Sequence, residues 1–214
     1  MLFVIGDQNS IANQFLFELR EQNRQQDRPR FRRNLERLGK IMAYEISKKL
    51  SYSRTELQTP LDNAVLDVLT IQPVLIAILR AGLPYFTGFQ NFFDQSECGF
   101  AGASRKENAN DLSIQLDYLA VPDLKDREVI IIDPMLATGR SVTETLHTLL
   151  KKGKPRHLHL ASVVAAPEGI QFLQENVAGP FSIWTFAVDK KLNHQYYIVP
   201  GLGDAGDLSY GEKR

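Results

Sequence analysis

The chain has 214 residues, 43% of them hydrophobic and 23% charged, which is enough apolar material for one domain with a sizeable core. Lys plus Arg and Asp plus Glu both total 25, and this zero net charge argues against general nucleic-acid binding. The single cysteine, Cys98, excludes an internal disulfide and suits a reducing cytoplasm; no run reaches the about 18 apolar residues of a membrane span, and Met1 to Ile5 is too short and lacks the basic flank of a signal peptide.

In chain order, Asn9 to Arg20 places Ile11, Phe15, Leu16 and Leu19 on one helical face, with Asn9 or Ser10 as N-cap. Arg20 to Arg37 holds seven arginines, offset by Glu18, Glu21, Asp27 and Glu36. Such a segment reads first as a solvated surface or subunit contact, and second as a patch for a regulatory nucleotide or RNA. Phe31 to Leu50 follows as a helix striped by Leu35, Leu38, Met42 and Ile46. Arg54 to Pro60 alternates like an edge strand, and Pro73 opens the apolar strand Val74 to Leu79. Arg80-Ala81-Gly82 follows at its carboxyl end, where ligands of open α/β sheets collect and a guanidinium offers fixed donors to phosphate oxygens. Leu83 to Phe93 is an aromatic-rich helix suited to packing. Glu97 to Ala103 and Ser113 to Ala120 read as a hairpin, joined by a polar, mobile loop from Ser104 to Asp111.

The chain is organised around Glu128 to Val142. Val129 to Ile132 are all β-branched, the signature of a strand buried on both faces of a parallel sheet. Asp133-Pro134 stops it, because proline cannot donate to a ladder. Ala137-Thr138-Gly139-Arg140-Ser141 is a small, hydroxyl-bearing loop, and Val142, Leu146, Leu149 and Leu150 recur at helical spacing. A strand, tight loop and helix of this kind offer outward N–H groups and a positive dipole end to a phosphate. Gly139 permits close approach, Thr138 and Ser141 add donors, and Asp133 can accept from sugar hydroxyls. That combination suits a ribose 5-phosphate. It is not a Walker A loop, since no Gly-Lys-Ser/Thr follows.

Gly153 and Pro155 end the helix, and His157 to Ala165 is the next strand. His157 and His159 share one face of it and read as a hydrogen-bonded pair rather than metal ligands, with no third ligand evident. Glu168 to Glu175 is a helix entered through Pro167, and Phe181 to Val188 is a strand that should bury Trp184. Gly201, Gly203 and Gly206 match the dinucleotide fingerprint by spacing, but no βαβ unit fits after Gly206. A glycine-rich tail instead exposes backbone groups that can pair with the edge of a flat base.

Four stretches together resemble the uracil phosphoribosyltransferase family: Ile130 to Ser141, Ile78 to Leu83, Val164 to Gly169, and the tail Tyr197 to Asp207, which is the most specific. The resemblance runs from about Phe31 to Gly211. It implies a phosphoribosyl pyrophosphate site at Arg80, Arg105, Asp133, Pro134, Met135, Leu136, Ala137, Thr138, Gly139, Arg140, Ser141 and Asp204. It implies a uracil site at Ile198, Gly203, Asp204 and Ala205, with Arg80, Arg105 and Asp204 as the catalytic set. The family's usual glycine is replaced here by Arg140.

The expected fold is α/β, a mainly parallel sheet flanked by helices in a single domain over residues 1–214. Its core would span about 61–190, and residues 191–214 with the N-terminal helices would form a small hood over the sheet's carboxyl edge. The expected reaction is uracil plus phosphoribosyl pyrophosphate giving UMP and diphosphate, with Mg²⁺ held mainly by the substrate and no role for Cys98 or the histidines. The resemblance further implies a homodimer or higher homo-oligomer and a regulatory nucleotide such as GTP. Two other readings stay open: a pyrimidine-responsive RNA-binding regulator of the same fold, and a transferase for another nucleobase.

Overall fold

The computed structural model describes residues 1–108 and 111–212, with side chains for all of these except 103–116. β1 (Leu2–Val4) leads to α1 (Ile11–Arg20), where Ser10 Oγ accepts from the Ala12 N–H and Asn13 Oδ1 from the Ser10 N–H, closing a capping box. α2 (Arg28–Ser47) starts at Asp27, whose carboxylate accepts from the Arg30 N–H at 3.0 Å. β2 (Tyr52–Gln58) and β3 (Asn63–Leu69) form an antiparallel hairpin. β4 (Val74–Leu79), α3 (Gly82–Gln90), the hairpin of β5 (Cys98–Asn108) and β6 (Asp111–Ala120), and β7 (Glu128–Ile132) follow. Then come β8 (Met135–Leu136), α4 (Arg140–Leu150), β9 (His157–Ala161), β10 (Val164–Ala165), α5 (Pro167–Asn176) and β11 (Phe181–Thr185). The tail carries β12 (Ala187–Val188), β13 (Lys191–Leu192), β14 (Ile198–Val199) and α6 (Ala205–Tyr210).

The main sheet has seven strands in the order β1-β11-β9-β7-β4-β5-β6, parallel except where β6 returns against β5. β7 is central. Its residues alternate sides, so Ile130 and Ile132 join α2 and α3 in one core while Val129 and Ile131 join α4 and α5 in the other. Every residue of that run therefore has to be apolar. From β4 the chain moves one way to β5, and from β7 it moves the other way to β9 and β11. The boundary between β4 and β7 is the sheet's switch point, and a crevice opens outside the carboxyl ends of strands at such a point.

Several elements differ from the sequence expectations. The expected strand His157–Ala165 breaks after Ala161, and Phe181–Val188 breaks at Phe186. The cause lies at Asp133-Pro134, where the neighbouring chain also steps out of the main sheet. Pro134 O accepts from the N–H groups of Val163 and Val164, and Val163 O accepts from those of Phe186 and Ala187. The continuations β8, β10 and β12 pair as a second, three-stranded parallel sheet. The expected polar loop 104–111 is mostly strand, because β5 and β6 pair their backbones as far as Asn108 and Asp111, and ladder bonds need no apolar side chains. β3 was not expected, although its run of Val65, Leu66, Val68 and Leu69 after a Thr59–Asp62 turn is β-prone. β1 and α2 contribute to the packing too: β1 is the sheet's edge beside β11, and Leu35, Leu38, Met42 and Ile46 are fully buried.

The arginine-rich segment serves intrachain contacts. Arg20, Arg24, Arg30 and Arg33 pair with Asp189, Glu21, Glu18 and Glu36, Arg32 donates to Ser209 O, and Arg37 donates to Asn34 and lies over Phe15. Among the described residues no helix is long and apolar enough to cross a membrane.

Candidate active site

A cavity of about 320 Å³ lies outside the carboxyl ends of β4 and β7, where the switch point places it. Three pieces of chain line it: Ile78 to Ala81 at the end of β4, Asp133 with Met135 to Gly139, Ser141 and Val142 after β7, and the tail residues Tyr196, Tyr197 and Gly203 to Gly206. They are remote in sequence and meet only because the tail folds back across the sheet's edge.

The loop after β7 is held from behind. The Asp133 N–H donates to Ala161 O at 3.1 Å, and Asp133 Oδ1 accepts from the Met135 N–H at 3.4 Å. Gly139 is the N-cap of α4, with φ 74° and no side chain of its own to cap the helix. A Cβ there would sit 2.8 Å from Gly169 O, so α5 presses on the loop from outside and only glycine fits. Thr138 Oγ1 accepts from the Arg140 N–H at 3.3 Å. The start of α4 thus faces the cavity with the positive end of its dipole, a place for an anion.

On the β4 side, Arg80 reaches across to the tail. Its Nη2 donates to Asp207 Oδ1 at 3.1 Å and to Gly211 O at 3.2 Å. The tail is itself built by short-range bonds. Asp204 caps α6 by accepting from the Asp207 N–H at 2.9 Å, and Gly203, at φ 90°, bends the chain just before that cap. Asn193 Oδ1 accepts from the N–H groups of Gln195 and Tyr197, and this turn holds Tyr196 at φ 63° beside the cavity. Asp189 Oδ2 accepts from the Gly201 N–H at 2.9 Å while Oδ1 takes Arg20 Nη1 at 2.9 Å, so α1 anchors the glycine-rich segment.

Of the expected site residues, Arg80, Asp133, Met135, Leu136, Ala137, Thr138, Gly139, Ser141, Gly203, Asp204 and Ala205 line this one cavity. Pro134, Arg140 and Ile198 do not. Pro134 lies behind the loop, where its carbonyl joins the small sheet. Arg140 is exposed, its guanidinium 5.8 Å from the centre of the Phe172 ring. Ile198 is 3% exposed and belongs to the core under the tail. The Arg105 side chain lies outside the described residues. Tyr197 and Gly206, which lie within the tail motif but were not among the expected site residues, also line the cavity, as does Tyr196 just before the motif.

The histidines lie elsewhere. Trp184, 2% exposed as expected of it, donates Nε1–H to His159 Nδ1 at 3.2 Å. Indole can only donate, so Nδ1 is the acceptor and Nε2 carries the hydrogen toward Glu128 Oε2 at 3.2 Å. His157 Nε2 lies 2.9 Å from Ser182 Oγ, and burial beside His159 lowers the His157 pKa. Both rings are satisfied far from the cavity.

The family model described as uracil phosphoribosyltransferase matches residues 7–211. The chain belongs to the uracil phosphoribosyltransferase family. A uracil phosphoribosyltransferase of Porphyromonas gingivalis is 45% identical over 98% of this chain and 97% of its own length. One of Thermococcus gammatolerans is 38% identical, covering 92% of this chain and 88% of its own. A solved structure of a protein from Aquifex aeolicus superposes with a TM-score of 0.86 at 30% identity, over 99% of this chain and 98% of the other. Membership in the uracil phosphoribosyltransferase family covers the tail as well as the sheet, so both sides of the cavity fall within the matched region.

Proposed function

We propose that the protein transfers the 5-phosphoribosyl group from phosphoribosyl pyrophosphate to N1 of uracil, releasing diphosphate and forming UMP. The observation that carries this reading is the meeting, in one cavity, of the α4 N-terminal loop with the glycine-rich tail. The loop offers a dipole end and hydroxyl donors to the 5-phosphate, and Asp133 accepts from the ribose hydroxyls. Arg80, and by resemblance Arg105, stabilise charge on the departing diphosphate. The tail backbone around Gly203 to Ala205 pairs with the O4, N3–H and O2 edge of uracil.

As the C1–O bond to diphosphate breaks, its electron pair leaves with the diphosphate and C1 becomes cationic; uracil N1 then supplies the new bond and its proton passes to a base. Such a reaction needs orientation, leaving-group stabilisation and dryness more than a protein nucleophile. Among the described residues Asp133 and Asp204 are the carboxylates lining the cavity, and they would supply one or two bonds to a Mg²⁺ ion held mainly by the substrate. When bound, that ion neutralises diphosphate oxygens.

The deciding assay offers labelled uracil, cytosine, adenine and guanine, each with phosphoribosyl pyrophosphate and Mg²⁺. UMP alone is expected. Cytosine inverts two of the three pairings and leaves backbone groups unmatched, so turnover of cytosine comparable with uracil contradicts the reading.

A homo-oligomer is part of the same proposal. The β2–β3 hairpin carries Leu66 and Val68 at 56% and 41% exposure, apolar side chains on a two-stranded element that, among the described residues, leaves them uncovered. Sedimentation should give a particle larger than one 24.2 kDa chain, and Leu66→Asp with Val68→Asp should dissociate it. A wild-type monomer at micromolar concentration refutes this part.

A further inference from the structure

The tail that would hold the base is tied to the loop that would hold the diphosphate through one ion pair. Arg80 contacts Asp207 and the Gly211 carbonyl, partners 127 and 131 residues away. Asp207 stands on the first turn of α6, three positions from Asp204, and the two are joined by the Asp207 N–H to Asp204 Oδ1 bond. One side of that turn therefore lines the cavity through Asp204 while Asp207 grips Arg80.

α6 has six residues, too few to be stable by itself, so its placement depends on what holds it. Two guanidinium groups sit on its C-terminal carbonyls, Arg80 on Gly211 O and Arg32 on Ser209 O at 2.6 Å, the sign of charge a helix C-terminus favours. The Arg80 and Asp207 side chains are 37% and 36% exposed, and an ion pair so placed adds little to stability. Its effect is on orientation. Nη2 carries both contacts, and among the described residues the buried Nε has no hydrogen-bond partner. A guanidinium held by one nitrogen keeps donors on the others, in a fixed plane, for a phosphate oxygen.

We propose that Asp207 is a positioning residue: it fixes the plane of Arg80 for the diphosphate and, through the first turn of α6, links that site to the base site, so that filling one raises the affinity of the other. This rests on the function proposed above. Coupling of this kind is reciprocal and commonly amounts to about 5- to 150-fold.

The experiment measures uracil binding by calorimetry with and without inorganic diphosphate and Mg²⁺, a pair that cannot react. In the wild type, diphosphate should tighten uracil binding by at least about 5-fold. In Asp207→Ala each ligand should still bind alone, but the enhancement should fall close to one, with a melting temperature near the wild type's. Asp207→Asn, which keeps a neutral acceptor, should give an intermediate value and serves if the alanine variant does not fold. Arg80→Ala/Asp207→Ala should lose no more coupling than Arg80→Ala. Wild-type coupling that survives in both Asp207 variants overturns the proposal, as does a wild type that binds both ligands independently. A coupling loss that merely tracks a fall in melting temperature also overturns it, since that is a structural role. A wild type that binds neither uracil nor diphosphate instead refutes the functional reading on which it rests.

Discussion

Gly139 sets how closely the loop can approach a phosphate. With φ 74° and Gly169 O only 2.8 Å from where a Cβ would stand, it has neither the backbone region nor the room for a side chain. Gly139→Ala should cost more than about 1 kcal/mol in urea unfolding and weaken phosphoribosyl pyrophosphate binding; an unchanged midpoint with unchanged affinity would show that the loop is not pinned. Arg140, next along, differs: as the first residue of α4 it has a negative φ, so the family's usual glycine is not required for the backbone there. Arg80→Ala should lower kcat/KM by roughly 10- to 150-fold, the value of a hydrogen bond to a charged group, and unaltered kinetics with phosphoribosyl pyrophosphate would remove Arg80 from the mechanism. The loop residues were legible because a strand, a stop, small residues and a helix follow one another locally. The Arg80–Asp207 pair was not, since nothing near either residue announces a partner 127 positions away. Tyr196 was hidden for another reason, its positive φ being imposed by the Asn193 turn rather than by its own preference.

Among the elements, α1 and α2 are locked by one carboxylate. Glu18 accepts from Arg30 Nε at 2.7 Å, Arg30 Nη2 at 3.0 Å, Asn34 Nδ2 at 2.7 Å and Gln14 Nε2 at 3.2 Å. The Arg30 bonds first, and then Asn34, lower its pKa from 4.5 to about 2. A depressed carboxylate stabilises the fold above its ordinary value and loses that contribution as pH falls through the folded value, so the window runs from pH 4.5 down to about 2. Glu18→Ala should cost about 1–3 kcal/mol at neutral pH, because Asn34, 1% exposed, loses its acceptor. Between pH 4.5 and 2 the gap between variant and wild type should narrow; a gap constant with pH would mean that the charge is irrelevant. The helices α1 and α2 were readable from their stripes, and the Ser10 cap of α1 with them, but α2 starts at Arg28 under an Asp27 cap, before the expected Phe31, and the short α6 in the glycine-rich tail was not expected. The long strands were misjudged because periodicity reports burial, and β9 with β10 stays buried while it changes sheets.

Over the whole molecule, the sheet order could not be read from the chain, because the pattern of a buried strand does not say which strands lie beside it. What fixes the site is a set of long ties closing the tail over the switch point. Arg20 and Asp189 are separated by 169 residues, and their contact joins α1 to the segment that carries Gly201. Both are largely out of water, with side-chain exposures of 21% and 6%. Arg20 Nε and Nη2 are buried and, among the described residues, have no hydrogen-bond partner, so Asp189 is what balances this charge. Removing one partner strands the other in a poorly hydrated place, whereas removing both does not. Asp189→Ala should therefore destabilise by about 3–5 kcal/mol, while Arg20→Met combined with Asp189→Ala should cost less than Asp189→Ala alone. The double variant should still lose affinity for uracil, since Gly201 N–H no longer has its carboxylate and the tail is freed, with phosphoribosyl pyrophosphate affinity much less affected. Denaturant unfolding and the two binding isotherms decide it. If the double variant is as unstable as the sum of the singles, the pair is not coupled; if it binds uracil like the wild type, α1 does not hold the tail in place.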